Sequence, residues 1–403
     1  MNEQARRFIK EHEHDDVYDL SLQLRGSAHI DADLVIRQIN GRKKIKSKVP
    51  TFYQNDEILY PLNLSLEQAS SEITAHYKSK LFKGNTLVDL TGGFGIDCSF
   101  MARNFQKVVY VERNEELCKL ALHNFNALQQ NNIEVVNEDS IDYLSKMDTV
   151  DCIYLDPARR SIQGKKVFML ADCEPDVSKH FDLLLSKSNM LIVKLSPMLD
   201  ITQIQTELKC IEEVHIISVE NDCKEILLVS NKNSTIPPTF KAINFVKSGI
   251  QEYTFIYETE INSQPSYTNQ PKRFLYEPNV SVLKAGAFKS IATTFQLEKL
   301  HVNTHLYTSD ELVSDFPGRI FEVVTVYGNS KSELKRMSKN APKANISIRN
   351  YILSVDELRK KSGIKEGGDQ YVFACKLADN EFAFIQCKKS NLDNTEPRAK
   401  NQE

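Results

Sequence analysis

The chain has 403 residues, more than one hydrophobic core usually serves, so two to four domains are expected. A hydrophobic fraction of 41% and a charged fraction of 26% describe a soluble globular protein, and a net charge of −3 argues against wholesale polyanion binding while leaving room for a local basic surface. No apolar run approaches the ~18 residues of a membrane span, the first residues carry no signal-peptide apolar core, and the eight cysteines are scattered without a CxxC; reduced thiols, no metal site, no membrane and a cytoplasmic location are the expectation.

Residues 1–80 read mostly as helix. In "SLEQASSEITAHYKSKLF" (65–82), Ser65 can cap the first turn, and Leu66, Ala69, Ile73 and Tyr77 recur at helical spacing. The basic run GRKKIKSK (41–48) interrupts this region and reads as a solvated loop or, more sharply, a nucleic-acid contact. From 86 the rhythm changes. TLVDL (86–90), KVVYVE (107–112), IEVVN (133–137), DCIYLD (151–156) and NMLIVKLS (189–196) are short apolar runs separated by helical patterns such as 115–128, which carries Leu117, Leu120, Ala121, Asn124 and Leu128 on one face. Apolar strands alternating with helices predict a parallel sheet covered on both sides. EVHIISV (213–219) and EILLVS (225–230) lie too close for a crossover helix, so they are expected to pair antiparallel. Residues 231–240 and 261–273 read as polar connections, 274–328 as a helical piece (284–296) with strands such as 319–327, and 344–390 as a further small α+β region. Residues 393–403 read as a disordered tail.

Three strand ends carry candidate chemistry. LVDLTGGFGID (87–97) ends a strand at Asp89 and turns through glycines into a helix, a geometry that brings backbone close to a ligand. The dinucleotide fingerprint fits only as Gly93-Phe94-Gly95, because Cys98 replaces the third glycine and Asp97 adds an anion where pyrophosphate should sit; no GK[ST] follows either. Glu112 ends the next strand about where such folds place a ribose-binding carboxylate, and is otherwise a solvated strand-end acid. Asp139 and Ser140 follow the third strand, within reach of an adenine edge.

Together, D-x-x-G-G-x-G, then an acid, then D-S, in a sheet ending in an antiparallel hairpin, resemble the class I S-adenosylmethionine (SAM)-dependent methyltransferases over about 84–230. DLTGGFG stands where that family has D-x-G-x-G-x-G, with Thr91 in place of the first glycine. The resemblance implies a Rossmann-like sheet and a SAM site of Asp89, Thr91, Gly92, Gly93, Gly95, Glu112, Asp139, Ser140 and Asp156, with Asp89 and Gly93 by the methionine part, Glu112 by the ribose and Asp139 by the adenine. QASSEITAHYKSKLF, DLTGGFGID, YLDPARR, VKLSPMLD and SIRNYILSVDEL carry a narrower resemblance to a bacterial methyltransferase group. It implies a helical domain (1–80), a methyltransferase domain (81–232), a ferredoxin-like domain (233–328) and a THUMP-like domain (329–392).

CIYLDPARR (152–160) ends the fourth strand. Methyltransferases of exocyclic amino groups have a similar [DN]-P-P-[FYW] there; Asp156 and Pro157 fit, whereas Ala158 and Arg159 do not. Arg159 and Arg160 still suit a nucleotide, since a guanidinium stacks on bases and binds phosphate. A structural turn with Asp156 ion-paired to an arginine is the alternative. VKLSPMLD contains no cysteine, which argues against carbon methylation through a thiolate, and Lys194 within it is expected to reach Asp156 or Glu220. Asp156, Pro157, Arg159 and Lys194 form the expected catalytic set, the loop 161–177 gates substrate, and Glu174 is a further candidate. Residues 331–349 hold Lys331, Lys335, Arg336, Lys339, Lys343 and Arg349 against a single glutamate, a phosphate-contact pattern that matches the RNA-binding role THUMP domains imply. The expectation is SAM-dependent methylation of a nitrogen in tRNA or rRNA; a protein or small-molecule acceptor, or a degenerate RNA-binding protein, are the alternatives.

Overall fold

The computed structural model describes residues 3–24, 31–159, 170–201, 204 and 207–390. Arg160, residues 161–169 of the expected gating loop, the tail and the side chain of Arg159 lie outside the described residues. The chain forms two compact units, Met1–Ile211 with Leu228–Thr235, and Glu212–Leu227 with Ile236–Glu403.

The first unit opens with helices α1 (Glu3–Glu11), α2 (Val17–Gln23), α3 (Ala32–Lys48), α4 (Pro50–Tyr53), α5 (Asn63–Gln68) and α6 (Glu72–Ser79). GRKKIKSK is not a loop but the second half of α3. Gly41 lies so close to Tyr60 that an added Cβ would sit 2.3 Å from its Cβ, and Arg42 is buried against Glu13 at 3.1 Å and Asp56 at 3.2 Å. The run looks solvated because Lys44 and Lys46 face water while Ile45 and Arg42 face inward. The expected long helix from Ser65 is two helices: Ser65 lies inside α5, and Ser71 caps α6 by accepting from the Thr74 amide.

Seven strands follow: β1 (Gly84–Asp89), β2 (Phe105–Glu112), β3 (Ile133–Asn137), β4 (Val150–Leu155), the short β5 (Ala158–Arg159) and β6 (Cys173–Glu174), and β7 (Ser188–Leu195). Neighbours run β7-β4-β1-β2-β3, all parallel, while β5 pairs antiparallel with β6. Buried residues such as Leu87, Val108, Tyr110, Ile153 and Ile192 fill the strands, as a sheet covered on both faces requires. Helices α7 (Ile96–Met101), α8 (Glu115–Ala127), α9 (Ser140–Lys146) and α10 (Val177–Ser186) cover it, and Asn114, Asp139 and Asp176 cap the last three. The chain steps from β1 to β2 and β3 on one side and then returns to lay β4 on the other. That reversal opens a crevice at the carboxyl ends of β1 and β4, the usual ligand position in open α/β sheets. The helical segment shares a core with this sheet: Phe52, Tyr60 and Ala75 cluster with Phe94, Ile96 and Phe100 from the glycine loop and α7.

Next in the chain, β8 (Ile211–Val219) and β9 (Asp222–Asn231) are neighbours joined only by Glu220 and Asn221, whose φ angles of 50° and 61° fit a type I′ turn. So short a connection makes the pair antiparallel, as expected, with a tighter turn than the sequence suggested because Asp222–Lys224 already belong to the strand. β10 (Thr239–Val246) pairs parallel with β8, and β11 (Gly249–Ile256) antiparallel with β10. Residues 239–256, expected in the ferredoxin-like segment, thus pair with β8 instead. After α11 (Tyr257–Asn262) come β12 (Phe274–Pro278), α12 (Val280–Ala285), α13 (Ser290–Thr294), β13 (Glu298–His301), β14 (Thr304–Ser309), β15 (Gly318–Gly328), α14 (Lys331–Asn340), β16 (Asn345–Arg349), α15 (Val355–Ser362), β17 (Gln370–Lys376) and β18 (Phe382–Lys389). Their strands form one sheet in the order β13-β14-β12-β15-β18-β17-β16. The helical piece expected at 284–296 is two helices, because Gly286 takes a left-handed φ of 77° and ends the first.

Candidate active site

Asp89 ends β1 with only 1% of its surface exposed, accepting the Thr91 amide at 3.0 Å. Burial pushes its carboxyl well above the usual range, and the charges of Asp97, Asp156 and Glu112 push the same way against the Thr91 hydrogen bond. Among the described residues no cation pairs with it. Thr91 explains its own departure from glycine: its hydroxyl accepts the Asp156 amide at 2.6 Å, stitching the glycine loop to the end of β4.

Gly92 lies on the Tyr110 ring, where an added Cβ would stand 2.1 Å from a ring carbon. Tyr110 in turn donates its hydroxyl to the Gly93 carbonyl at 2.6 Å. Gly93, at φ 56°, is open: an added Cβ would meet only the Thr91 carbonyl oxygen, at 3.8 Å. Gly95, at φ 82°, precedes α7 and packs against Phe125. Glu112 holds this loop from β2, its carboxylate accepting the amides of Gly93 at 3.0 Å and Asn114 at 2.8 Å. Asp139 spends Oδ1 on capping α9, taking the amides of Ile141 at 2.8 Å and Asp142 at 3.3 Å, and Ser140 is the first residue of that helix.

Asp156 follows β4 across the crevice, with 34% of its side chain exposed, and Pro157 behind it is buried. Lys194, 9% exposed on β7, donates to Asp156 Oδ2. Behind this pair lies a buried polar cluster that sequence reading missed. Ser70 accepts from Lys194 at 3.2 Å and from Lys78 at 2.9 Å, and donates to Asp97 Oδ2 at 2.7 Å. Asp97 also takes the Tyr154 hydroxyl at 2.6 Å and pairs with Lys78 at 3.1 Å, with Lys194 at 3.9 Å. Burial raises the Asp97 carboxyl, but Lys78 and Lys194, helped by the two hydroxyls, outweigh it and hold the group below its usual range. Lys78 is 1% exposed on α6, on a buried face it shares with Thr74, Ala75 and Ser79, so no apolar run marked it. On the crevice rim Glu174 stands opposite Ala158 in the β5–β6 pair and binds Arg113 at 2.7 Å.

In the second unit Lys331, Lys335 and Lys339 project from α14 at four-residue spacing and are exposed, as is Lys343 beyond it. Arg336 sits 4.9 Å over the Tyr327 ring and 3.0 Å from Glu333. Arg349 does not join this row. Its guanidinium binds Glu277, a buried carboxylate that also holds Arg319, so sequence adjacency placed it on the wrong face. Helix α15, which packs into the same apolar cluster, adds exposed Lys360 and Lys361, and Lys365 follows.

Family models place three domains on the chain: one described as RNA cap guanine-N2 methyltransferase at 84–233, a ferredoxin-like domain at 274–317 and a THUMP domain-like module at 318–389. A crystal structure from Porphyromonas gingivalis W83, assigned as a methyltransferase with no substrate named, is 33% identical over 97% of this chain and 99% of its own, with a TM-score of 0.87. An O-methyltransferase from Bacillus cereus in complex with S-adenosylhomocysteine overlaps 47% of this chain and 100% of its own, at 13% identity and a TM-score of 0.33. An rRNA methylase from Streptococcus thermophilus overlaps 40% of this chain and 94% of its own, at 12% identity and a TM-score of 0.29, and at such scores neither likeness carries further meaning. No curated protein matched. With a methyltransferase sheet, its glycine loop and a full-length relative in place, this chain belongs to the methyltransferase family that the Porphyromonas gingivalis protein represents, and SAM is its methyl donor.

Proposed function

We propose that this enzyme methylates a nitrogen of an RNA nucleotide, in tRNA or rRNA, by direct transfer. The observation that carries the chemistry is Asp156: it stands beside the crevice with one carboxylate oxygen held by Lys194 and its amide held by Thr91. The surrounding residues suit the donor. Asp89 is a buried carboxylate awaiting a cation such as the donor's ammonium, Gly93 offers open backbone, and Glu112 is a fixed acid with lone pairs left for ribose hydroxyls. Asp139, Ser140 and the neighbouring Gly92 and Gly95 complete this reading of the cofactor site. When bound, SAM supplies an electrophilic methyl group.

The rest is done by the chain. With Lys194 on Oδ2, Asp156 Oδ1 accepts an N–H of the acceptor and aims its lone pair. As charge develops on that nitrogen its N–H grows acidic, and the same carboxylate accepts the proton. Positioning at this one atom is the main catalytic contribution. Pro157 follows immediately, buried behind Asp156, and Arg159 belongs to the proposed catalytic set by its place in the sequence alone. The RNA reading rests on the exposed lysines of α14 and α15 in the THUMP-like module, together with the description of the matching family model. An RNA acceptor and eight free thiols also fit a cytoplasmic enzyme. Methyl incorporation from radiolabelled SAM into RNA of a strain lacking the enzyme tests this. Wild-type protein should label RNA, and Asp156→Asn should do so ~10²–10⁴-fold more slowly; labelling of protein or of small molecules alone would overturn the RNA assignment.

A further inference from the structure

The geometry points to Ser70 and Lys78 as positioning residues of the active centre, so that the helical segment before the sheet sets the Lys194–Asp156 pair. This rests on the assignment of Asp156 as the acceptor-binding group. Ser70 lies between α5 and α6, 124 positions from Lys194 in sequence. Its hydroxyl has one proton and two lone pairs, and all three are used: the proton is donated to Asp97, and the lone pairs accept from Lys78 and from Lys194. The residue is 6% exposed, so water does not readily replace these bonds.

The cluster balances two ammonium groups against the carboxylates of Asp97 and Asp156. Lys78 anchors Asp97 from α6, Tyr154 anchors it from β4, and Lys194 on β7 is suspended between Ser70 and Asp156. Without Ser70, Lys194 loses one acceptor and the balance shifts toward Asp97, 3.9 Å away, which alters the hold of Lys194 on Asp156. Asp97 and Lys78 touch neither of the atoms that react; they act through Lys194. Asp97 is faced by Lys78 of α6, Lys194 of β7, Tyr154 of β4, Ser70 of the α5–α6 link and, as further negative charge, Asp89 of β1.

The test uses the full chain with Ser70→Ala, Ser70→Thr and Lys78→Met. S-adenosylhomocysteine affinity is measured by calorimetry, and single-turnover methyl transfer is measured on RNA from the deletion strain. Ser70→Ala should slow transfer at least tenfold with the dissociation constant within threefold of wild type, and Ser70→Thr, which keeps the hydroxyl, should recover most of the rate. Lys78→Met should move the acid limb of the rate profile to higher pH, because Asp97 then loses the cation that holds it ionised. A second readout needs no substrate: acetic anhydride labelling of Lys194, followed by mass spectrometry, should rise severalfold in Ser70→Ala and return with Ser70→Thr. Wild-type protein that labels no RNA would refute the proposed acceptor, and the labelling result would still decide the role of Ser70. Unchanged transfer and unchanged Lys194 labelling in Ser70→Ala, or a loss of affinity equal to the loss of rate, would overturn the inference.

Discussion

Gly92→Ala probes the glycine loop at its tightest point. The new Cβ would meet three atoms of the Tyr110 ring at 2.1, 2.3 and 2.5 Å, well inside contact distance. The ring has nowhere to go. It is 0% exposed, packs edge-on against Phe125 at 5.5 Å, and is tied to the Gly93 carbonyl. The core must open, at about 1–3 kcal/mol for overpacking, and a lifted loop forfeits the Tyr110 hydrogen bond at about 0.5–1.5 kcal/mol more. The two together give ~1.5–4.5 kcal/mol, and any part of it that falls on the bound state alone costs tenfold in affinity per ~1.4 kcal/mol. Calorimetry with S-adenosylhomocysteine should therefore show at least a tenfold weaker dissociation constant, and urea unfolding a lowered midpoint. Tyr110→Leu in the same chain vacates the space and should return part of the affinity. Wild-type affinity in Gly92→Ala would refute the reasoning, since the loop would then not depend on close approach to β2.

Lys194→Met should lower the transfer rate at least a hundredfold while S-adenosylhomocysteine affinity stays within a few-fold of wild type, as read by single-turnover kinetics beside calorimetry; a matched loss in both would place Lys194 at the cofactor instead. Asp89 holds its proton in the folded apo protein at a pH where the unfolded chain has released it, so stability falls as pH rises from the unfolded pKa near 4 through the raised folded value. Asp89→Asn should accordingly raise the apo Tm at pH 7, by roughly 2–4 °C per kcal/mol relieved, while weakening cofactor binding; a lowered Tm would contradict the direction. Replacing Lys331, Lys335 and Lys339 by Gln should weaken RNA binding and flatten its dependence on log salt by about 0.7 for each phosphate that is no longer neutralised. Arg349→Met should leave that slope alone and instead lower Tm, because it strips a partner from buried Glu277.

The glycine loop was legible because backbone that must approach a ring or a ligand admits little but glycine, and the strand-end acids were legible because period and length locate strand ends. Asp89, Glu112, Asp139 and Asp156 all stand where those signals put them. Lys194 announced itself as a charge in an apolar run. Ser70 and Lys78 could not be found the same way. Their partners lie on β7 and α7, and a serine and a lysine near a helix read as surface unless the tertiary contacts are known. GRKKIKSK misled for the opposite reason: charge density suggested a loop, although Arg42 pairs with Glu13 at a distance sequence spacing does not show. Arg349 sits in a basic run by sequence, yet it ends β16, where it binds Glu277. Residues 239–256 lacked any signal for their parallel neighbour, since pairing with β8 is a choice among sheets rather than a local pattern.

Methyl transfer to an RNA nitrogen at Asp156 is the central claim, and nucleoside mass spectrometry of tRNA and rRNA from a strain lacking the gene tests it most directly. One N-methylated nucleoside should vanish, return with the wild-type gene, and stay absent with Asp156→Ala, even though that variant still binds S-adenosylhomocysteine. An unchanged nucleoside profile, or restoration by Asp156→Ala, would contradict it.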